Sequence, residues 1–361
     1  MVPPRKDKPM AEASVDSRGE PSSSVADGGE QLPSPRSLVL PRALRKGDTV
    51  GIVAPSSPPF EEGDIEFTYK WLSKLGLKWK LGKHVFDRWG DLAGADEARL
   101  EDLHAMYADR EVSAILPVRG GNGSVRLLPS LDFDLISANP KILVGYSDIT
   151  GLIIPIHQRT GQVTFHGPTA GSFFESPYTY NHFIKLLMTP KAAGLIADPV
   201  ARDVWNPEYP PARLAVAEGE GRGPLVGGCL TLIRQMMGTP FEIDTKDKIL
   251  FVEDVEEEPH SIDRMLTQLE LAGKLDGVRG IVVGECVGCK PGGSKRNSLP
   301  LNFSVERMLR ERLGDLGIPV VYGIRLGHSR EKCTLPIGVT ATLKVTAKGA
   351  RLKLEEPATR A

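Results

Sequence analysis

Three side chains that can act together in acyl transfer stand at or just beyond the ends of three apolar runs: Ser147, Glu253 and His328. Ser147 lies in residues 141–151, KILVGYSDITG. Ile142, Leu143 and Val144 form a short, partly β-branched run suited to a buried parallel strand. Gly145 breaks the run, and a helical pattern begins at Asp148. Ser147 therefore falls on a tight strand-to-helix turn, the geometry of a nucleophile elbow. There a hydroxyl stands clear of the backbone beside helix N-terminal N–H groups that can hold an oxyanion. Taken alone, the same stretch reads more simply as a helix whose N-cap is Ser147 or Asp148. Two other places in the chain reverse that order.

A serine hydroxyl is a weak nucleophile at its own pKa and needs a base within hydrogen-bond reach; imidazole, with a free pKa near ~6.5, suits the task. A carboxylate on the other ring nitrogen fixes the tautomer and stabilises the imidazolium. His328 trails the apolar run 320–324, and Glu253 directly follows the run 248–252. Asp254, Glu256, Glu257 and Glu258 compete with Glu253 for the carboxylate role. Glu253 is preferred because it comes first after the strand, while the others read as a solvated acidic turn. His84, His104, His157 and His182 fall in ordinary strand or helix contexts. His166 and His260 fall in loops, where either can touch a substrate.

A fourth run, 114–118, ends in Arg119-Gly120-Gly121-Asn122-Gly123-Ser124. Glycine lets the main chain approach a ligand closely, so this loop can supply oxyanion N–H donors; it reads equally as a turn with no ligand. No Gly-Lys-Ser/Thr follows at the spacing of a phosphate loop. Cys286 and Cys289 form a lone C-x-x-C, for which neither zinc binding nor thioredoxin-like redox chemistry is expected.

These residues need strands and helices to hold them. Strands are expected at 49–54, 78–81, 114–118, 142–144 and 162–165, with helices at 61–75 and 97–108 and from the serine turn to about 158. This alternation specifies an α/β domain with a mainly parallel sheet, whose ligands sit beyond the carboxyl ends of its strands. The second half reads as a smaller α/β domain with a mixed sheet: strands at 248–252, 280–284 and 320–324, helices at 231–237 and 261–273, and a hairpin over 339–354. The expected division is a disordered tail at 1–38, an N-terminal α/β domain at 39–172, a connecting segment at 173–223 and a C-terminal domain at 224–361. The connection is turn-rich through Gly223 and contains Trp205 and Tyr209.

The chain has 361 residues, 40% hydrophobic and 25% charged, with a net charge of -1. That is soluble-globular composition, with no electrostatic attraction to nucleic acid or an acidic membrane. No apolar run approaches the ~20 residues that span a bilayer, and the basic start lacks the apolar stretch of a secretory signal. Four cysteines are too few for a disulfide scaffold and read as reduced thiols in a cytoplasm.

Further stretches recur in a recognisable order: GIVAPSSP from Gly51, RGGNGSVRLLP from Arg119, GYSDIT from Gly145 and TFHGP from Thr164. Gly227-Gly-Cys-Leu, Gly238-Thr-Pro, Ile249-Leu-Phe-Val-Glu-Asp, Ile262-Asp-Arg-Met-Leu, Gly327-His328 and Thr334-Leu-Pro-Ile-Gly follow. From about Arg45 to Leu354 the chain resembles the LD-carboxypeptidases, serine peptidases that include the muropeptide carboxypeptidases and the microcin C immunity proteins. The resemblance implies Ser147 as nucleophile, His328 as general base and Glu253 as its orienting carboxylate. It also implies oxyanion donors on the main chain at Asp148 and in the Gly120-Gly121 region, with Gly121 the choice there, and no metal, nucleotide or other cofactor. Arg119 and Asn122 are the expected substrate contacts. A homodimer with its site between two domains, releasing D-alanine from a murein tetrapeptide, completes what the family implies. Two departures bear on substrate fit: Asn122 stands where relatives usually have Tyr, and Cys229 where they usually have Asn. One rival is a microcin-immunity-type amidase acting on a peptidyl-nucleotide or acyl-sulfamate, with Trp205 or Tyr209 under the base. Another is an inactive muropeptide-binding protein.

Overall fold

The computed structural model describes residues 37–61, 63–172, 176–199, 213–290 and 304–361. Most of the expected tail, and Trp205 and Tyr209, lie outside them. The first half runs β1 (Thr49–Val53), α1 (Gly63–Lys74), β2 (Lys78–Leu81), α2 (Asp96–Ala108), β3 (Val112–Pro117), α3 (Phe133–Ala138), β4 (Ile142–Gly145), α4 (Thr150–Thr160), β5 (Phe165–His166) and α5 (Pro177–Phe183). The second half runs β6 (Gly194–Ile196), β7 (Leu214–Ala217), β8 (Gly219–Cys229), α6 (Leu230–Met236), β9 (Ile249–Glu253), α7 (Pro259–Leu271), β10 (Gly280–Gly284), α8 (Val305–Leu313), β11 (Val320–Ile324), β12 (Leu335–Pro336), β13 (Thr340–Thr346) and β14 (Gly349–Leu354).

The protein is α/β, with two sheets. The first has the order β12-β5-β4-β3-β1-β2 and is parallel except at β12. Its strands are joined by helices, as parallel neighbours require, and β4 is buried throughout. The chain winds from β1 to β2 on one side and returns to β3 on the other. The carboxyl ends of β1 and β3 thus flank the point where strand order reverses, the place where open parallel sheets form a crevice. The second sheet, β6-β14-β13-β8-β9-β10-β11-β7, is mixed: β8 to β11 are parallel, and antiparallel strands flank them.

Of the features not foreseen, two bear on how the sheets are built and joined. Residues 219–223, read as the turn-rich end of a connection, begin the long strand β8 and pair with β13. Glycine is poor strand material on propensity alone, but here it is demanded by close approach. A Cβ on Gly221 would lie 1.7 Å from the Arg279 carbonyl oxygen, and one on Gly223 would lie 2.5 Å from that of Asp247. The second feature is β12. It leaves the C-terminal half and pairs with β5 of the first sheet, placing Leu335 opposite His166. Helix α4 is buried on all sides along residues 150–156, as a helix apolar all round must be. Its Thr150 hydroxyl accepts the backbone N–H of Cys229 at 3.0 Å, joining the start of α4 to the end of β8.

Candidate active site

Ser147 stands two residues beyond the end of β4 and has φ +61°, a left-handed conformation that costs an L-residue about 1–2 kcal/mol. The strain is local to the elbow. Gly145 permits the sharp exit from the strand, since a Cβ there would lie 2.7 Å from Ile149. Asp148 fastens the turn: its Oδ2 accepts the Ser56 hydroxyl at 2.6 Å and the Ser124 backbone N–H at 2.8 Å. The side chain is therefore structural, while its main-chain nitrogen lies beside the glycine loop. A Cβ on Gly120 would lie 2.8 Å from Ser147 Cβ, 2.9 Å from its Oγ and 3.2 Å from the Asp148 nitrogen. Gly121, at φ +113°, has no room for a side chain, because a Cβ would meet Ser57 Oγ at 2.1 Å. The loop after β3 thus passes its bare backbone across the serine.

Glu253 is the last residue of β9 and is fully buried. Its Oε2 accepts from His328 Nδ1 at 2.8 Å and from the His328 backbone N–H at 3.3 Å. Gly327 makes that contact possible. At φ +64° it turns the chain, and a Cβ there would lie 2.1 Å from the Glu253 carboxyl carbon. Burial raises the pKa of Glu253, but the His328 hydrogen bond and the two neighbouring imidazoles of His166 and His328 outweigh it and hold the carboxyl at about 2. Asp254 is committed elsewhere, accepting from the Thr231 N–H and hydroxyl and from the Val255 N–H, each at 2.9 Å. Glu258 pairs with the exposed His260 at 3.1 Å.

The depressed pKa of Glu253 predicts a pH dependence of stability. With a folded value near 2 against an ordinary 4.5, its contribution is fully present above pH 4.5 and is lost as pH falls towards 2. The size is on the order of 3 kcal/mol. Urea unfolding of wild type and Glu253→Gln between pH 7 and pH 3 should show the stability difference shrinking with acid; a constant difference would remove this coupling.

Ser147 and His328 line one cavity of about 510 Å³ at the crevice beyond β1, β3 and β4. Phe60, Phe67, Arg119, Gly120, Gly121 and Tyr146 line it too. The Arg119 guanidinium lies over the Phe60 ring, 3.7 Å from its centroid. Burial lowers its pKa, yet a guanidinium starts so high that it keeps its charge. The structure thus brings Ser147, His328, Arg119 and Gly121 to one cavity, with Asp148 and Glu253 directly behind. Asn122 is placed differently: it is exposed, and its amide donates to Asp91 Oδ2 at 3.0 Å. Cys229 is buried beside Asp254, and burial pushes its thiol pKa well up.

The sequence reading missed three contributors. Phe60 and Phe67 are exposed aromatics with no local signal that they wall a cavity. His166 is not in a loop but in β5, fully buried, with Nε2 3.5 Å from Glu253 Oε1. Its only sequence signal was its place in the TFHGP stretch.

Residues 50–167 match the LD-carboxypeptidase N-terminal domain, and residues 222–343 match the LD-carboxypeptidase C-terminal domain. The chain is 41% identical over 314 residues to the "Probable murein peptide carboxypeptidase" of Bacillus subtilis, covering 86% of this chain and 93% of that one. It is 31% identical to the "Microcin C7 self-immunity protein MccF" of Escherichia coli, covering 83% and 92%. Among solved structures, the MccF-like protein of Bacillus anthracis superposes with a TM-score of 0.77 at 28% identity, covering 88% and 99%. Matched along both halves and in fold, this chain belongs to the LD-carboxypeptidase family.

Proposed function

We propose that the protein is a serine LD-carboxypeptidase that releases the terminal D-alanine of murein tetrapeptides in peptidoglycan recycling. The observation that carries this reading is the His328 Nδ1–Glu253 contact of 2.8 Å behind a cavity that Ser147 also lines. With Nδ1 held by the carboxylate, Nε2 is the ring nitrogen left to act as base. Ser147 Oγ attacks the carbonyl carbon between the L-centre of diaminopimelate and D-alanine, and its proton passes to His328. The tetrahedral oxyanion is received by the N–H groups of Gly121 and Asp148. As the C–N bond breaks, His328 returns the proton to the departing amine. Water, deprotonated by His328, then hydrolyses the acyl-enzyme. Arg119, which lines the same cavity, pairs in this reading with the terminal carboxylate, a planar anion that suits a guanidinium.

In this reading residues 39–172 carry the nucleophile, residues 173–223 connect, and residues 224–361 carry the base and its carboxylate. The four free cysteines accord with a cytoplasmic location. A homodimer belongs to the same reading and is checked by sedimentation.

The test is release of free D-alanine from L-Ala-γ-D-Glu-meso-diaminopimelate-D-Ala. Wild type should release it, with or without chelator, and Ser147→Ala should not. A second reading, a microcin-immunity-type amidase, draws on the 31% identity to the E. coli self-immunity protein. No release from the tetrapeptide, together with cleavage of a peptidyl-nucleotide, would establish it instead; cleavage of neither would favour an inactive muropeptide-binding protein.

A further inference from the structure

Glu253 has a second imidazole neighbour that the acyl-transfer mechanism does not use. His166 is fully buried, and neither of its ring nitrogens has a hydrogen-bond partner; the same holds for Glu253 Oε1. His166 Nε2 and Glu253 Oε1 stand 3.5 Å apart, just beyond ordinary hydrogen-bond length. A buried N–H left without an acceptor is destabilising, so the imidazole gains most when its proton sits on Nε2 and points at that oxygen. The placement is enforced from outside the pair. Strand β5 pairs with β4, with His166 opposite Gly145 two residues before the serine, and pairs with β12 on its other side. Phe251 meets the His166 ring edge-on at a centroid distance of 5.4 Å, and Tyr146 does so at 6.4 Å.

We propose that His166 is a positioning residue for the catalytic carboxylate: it donates from Nε2 to Glu253 Oε1, so that each carboxylate oxygen is held by one histidine. The inference rests on the triad reading above. It gives His166 two effects. It fixes the carboxylate's rotation and hence the His328 ring, and it draws negative charge toward Oε1, so that His328 is a weaker base than it would be against an unshared carboxylate. The charged and titratable groups around the pair are His328 from the loop after β11, Tyr146 from the elbow, Asp254 beyond β9, Cys229 at the end of β8 and Cys286 beyond β10. Lys332 lies with its Nζ 5.2 Å from the Tyr146 ring centroid. The low pKa of Glu253, to which both imidazoles contribute, is consistent with the arrangement.

Long-range ¹H–¹⁵N spectra of the full chain test it without substrate. His166 should carry a proton on Nε2, and a neutral ring protonated on Nδ1 would overturn the proposal. In His166→Met, which has no donor, the His328 titration midpoint should rise by about one pH unit, and His166→Gln, which keeps an N–H donor, should return most of that shift. In the D-alanine assay His166→Met should lose roughly tenfold or more in kcat with KM little changed. The acid limb of its kcat/KM profile should move to higher pH, and Gln should recover much of the rate. An unmoved or lowered midpoint, or equal losses in the two variants, would overturn the assignment. Absence of D-alanine release by wild type would sink the proposed activity and leave the spectroscopic arm standing.

Discussion

Ser147→Ala should lose D-alanine release by at least about 10⁴-fold, with substrate binding retained. Removing the nucleophile of a serine triad leaves only the residual acceleration of the oxyanion donors and binding. Ser147→Gly should be equally inactive, yet the two variants should differ in stability. Ser147 is held at φ +61°, where alanine keeps the strain and glycine relieves it. The relief is about 1–2 kcal/mol, less the about 0.4–1 kcal/mol that glycine's freedom in the unfolded chain takes back. The glycine protein should therefore be more stable than the alanine protein by about 1 kcal/mol, read from urea midpoints. Full activity in either variant would remove Ser147 from the mechanism. Equal stability would remove the claim that the left-handed turn at Ser147 is strained.

Gly327→Ala should be the most damaging single-methyl change near the site. The new Cβ would lie 2.1 Å from both the carboxyl carbon and Oε2 of Glu253, a distance no relaxed structure tolerates, so the carboxylate or the turn must move. Either motion carries His328 with it, because Glu253 Oε2 holds both its Nδ1 and its backbone N–H. Loss of the orienting carboxylate in a serine triad costs about 10⁴-fold, and a partial displacement should cost roughly 10²–10³-fold in kcat/KM. Stability should fall by about 2–3 kcal/mol through the positive φ and the disturbed buried pair. Gly317→Ala is the control. Its φ of +69° nearly equals the +64° of Gly327, but nothing lies within 4 Å of its added Cβ. It should lose about 1 kcal/mol and no activity. If both variants behave alike, backbone strain alone explains Gly327 and the contact with Glu253 is irrelevant.

The first prediction turns on a local turn and the second on a contact between residues far apart in the chain, and that difference separates what could be read early from what could not. Ser147 was legible because an elbow is local: apolar strand, glycine, serine and helix start follow within ten residues. The end of β9 at Glu253 was legible for the same reason, as an apolar run stopped by a carboxylate. The alternation of strands and helices through α4 specified a parallel sheet, since hydrophobic period and glycine breaks are properties of short windows.

Other assignments depended on approach between distant segments. The glycines of β8 looked like a flexible connection because propensity counts residue types, whereas their role is to admit the Arg279 and Asp247 carbonyls. Choosing Glu253 over Asp254 rested on order along the chain; the structure supplies the physical ground, with Asp254 bonded to Thr231 and Glu253 to His328. Asn122 turned from the cavity toward Asp91 because a partner 31 residues away claimed its amide.

By itself, then, the sequence determined the local chemistry: a serine on a tight strand-to-helix turn, a glycine loop whose backbone a ligand can approach, and a carboxylate and an imidazole at strand ends. The tertiary structure decided which of these meet. β12 pairs with β5, and α4 is bonded to the end of β8. With those links in place the second sheet's Glu253 stands beside the first sheet's His166. Such long-range pairings are set by burial and close packing of whole faces, which no short window of residues encodes.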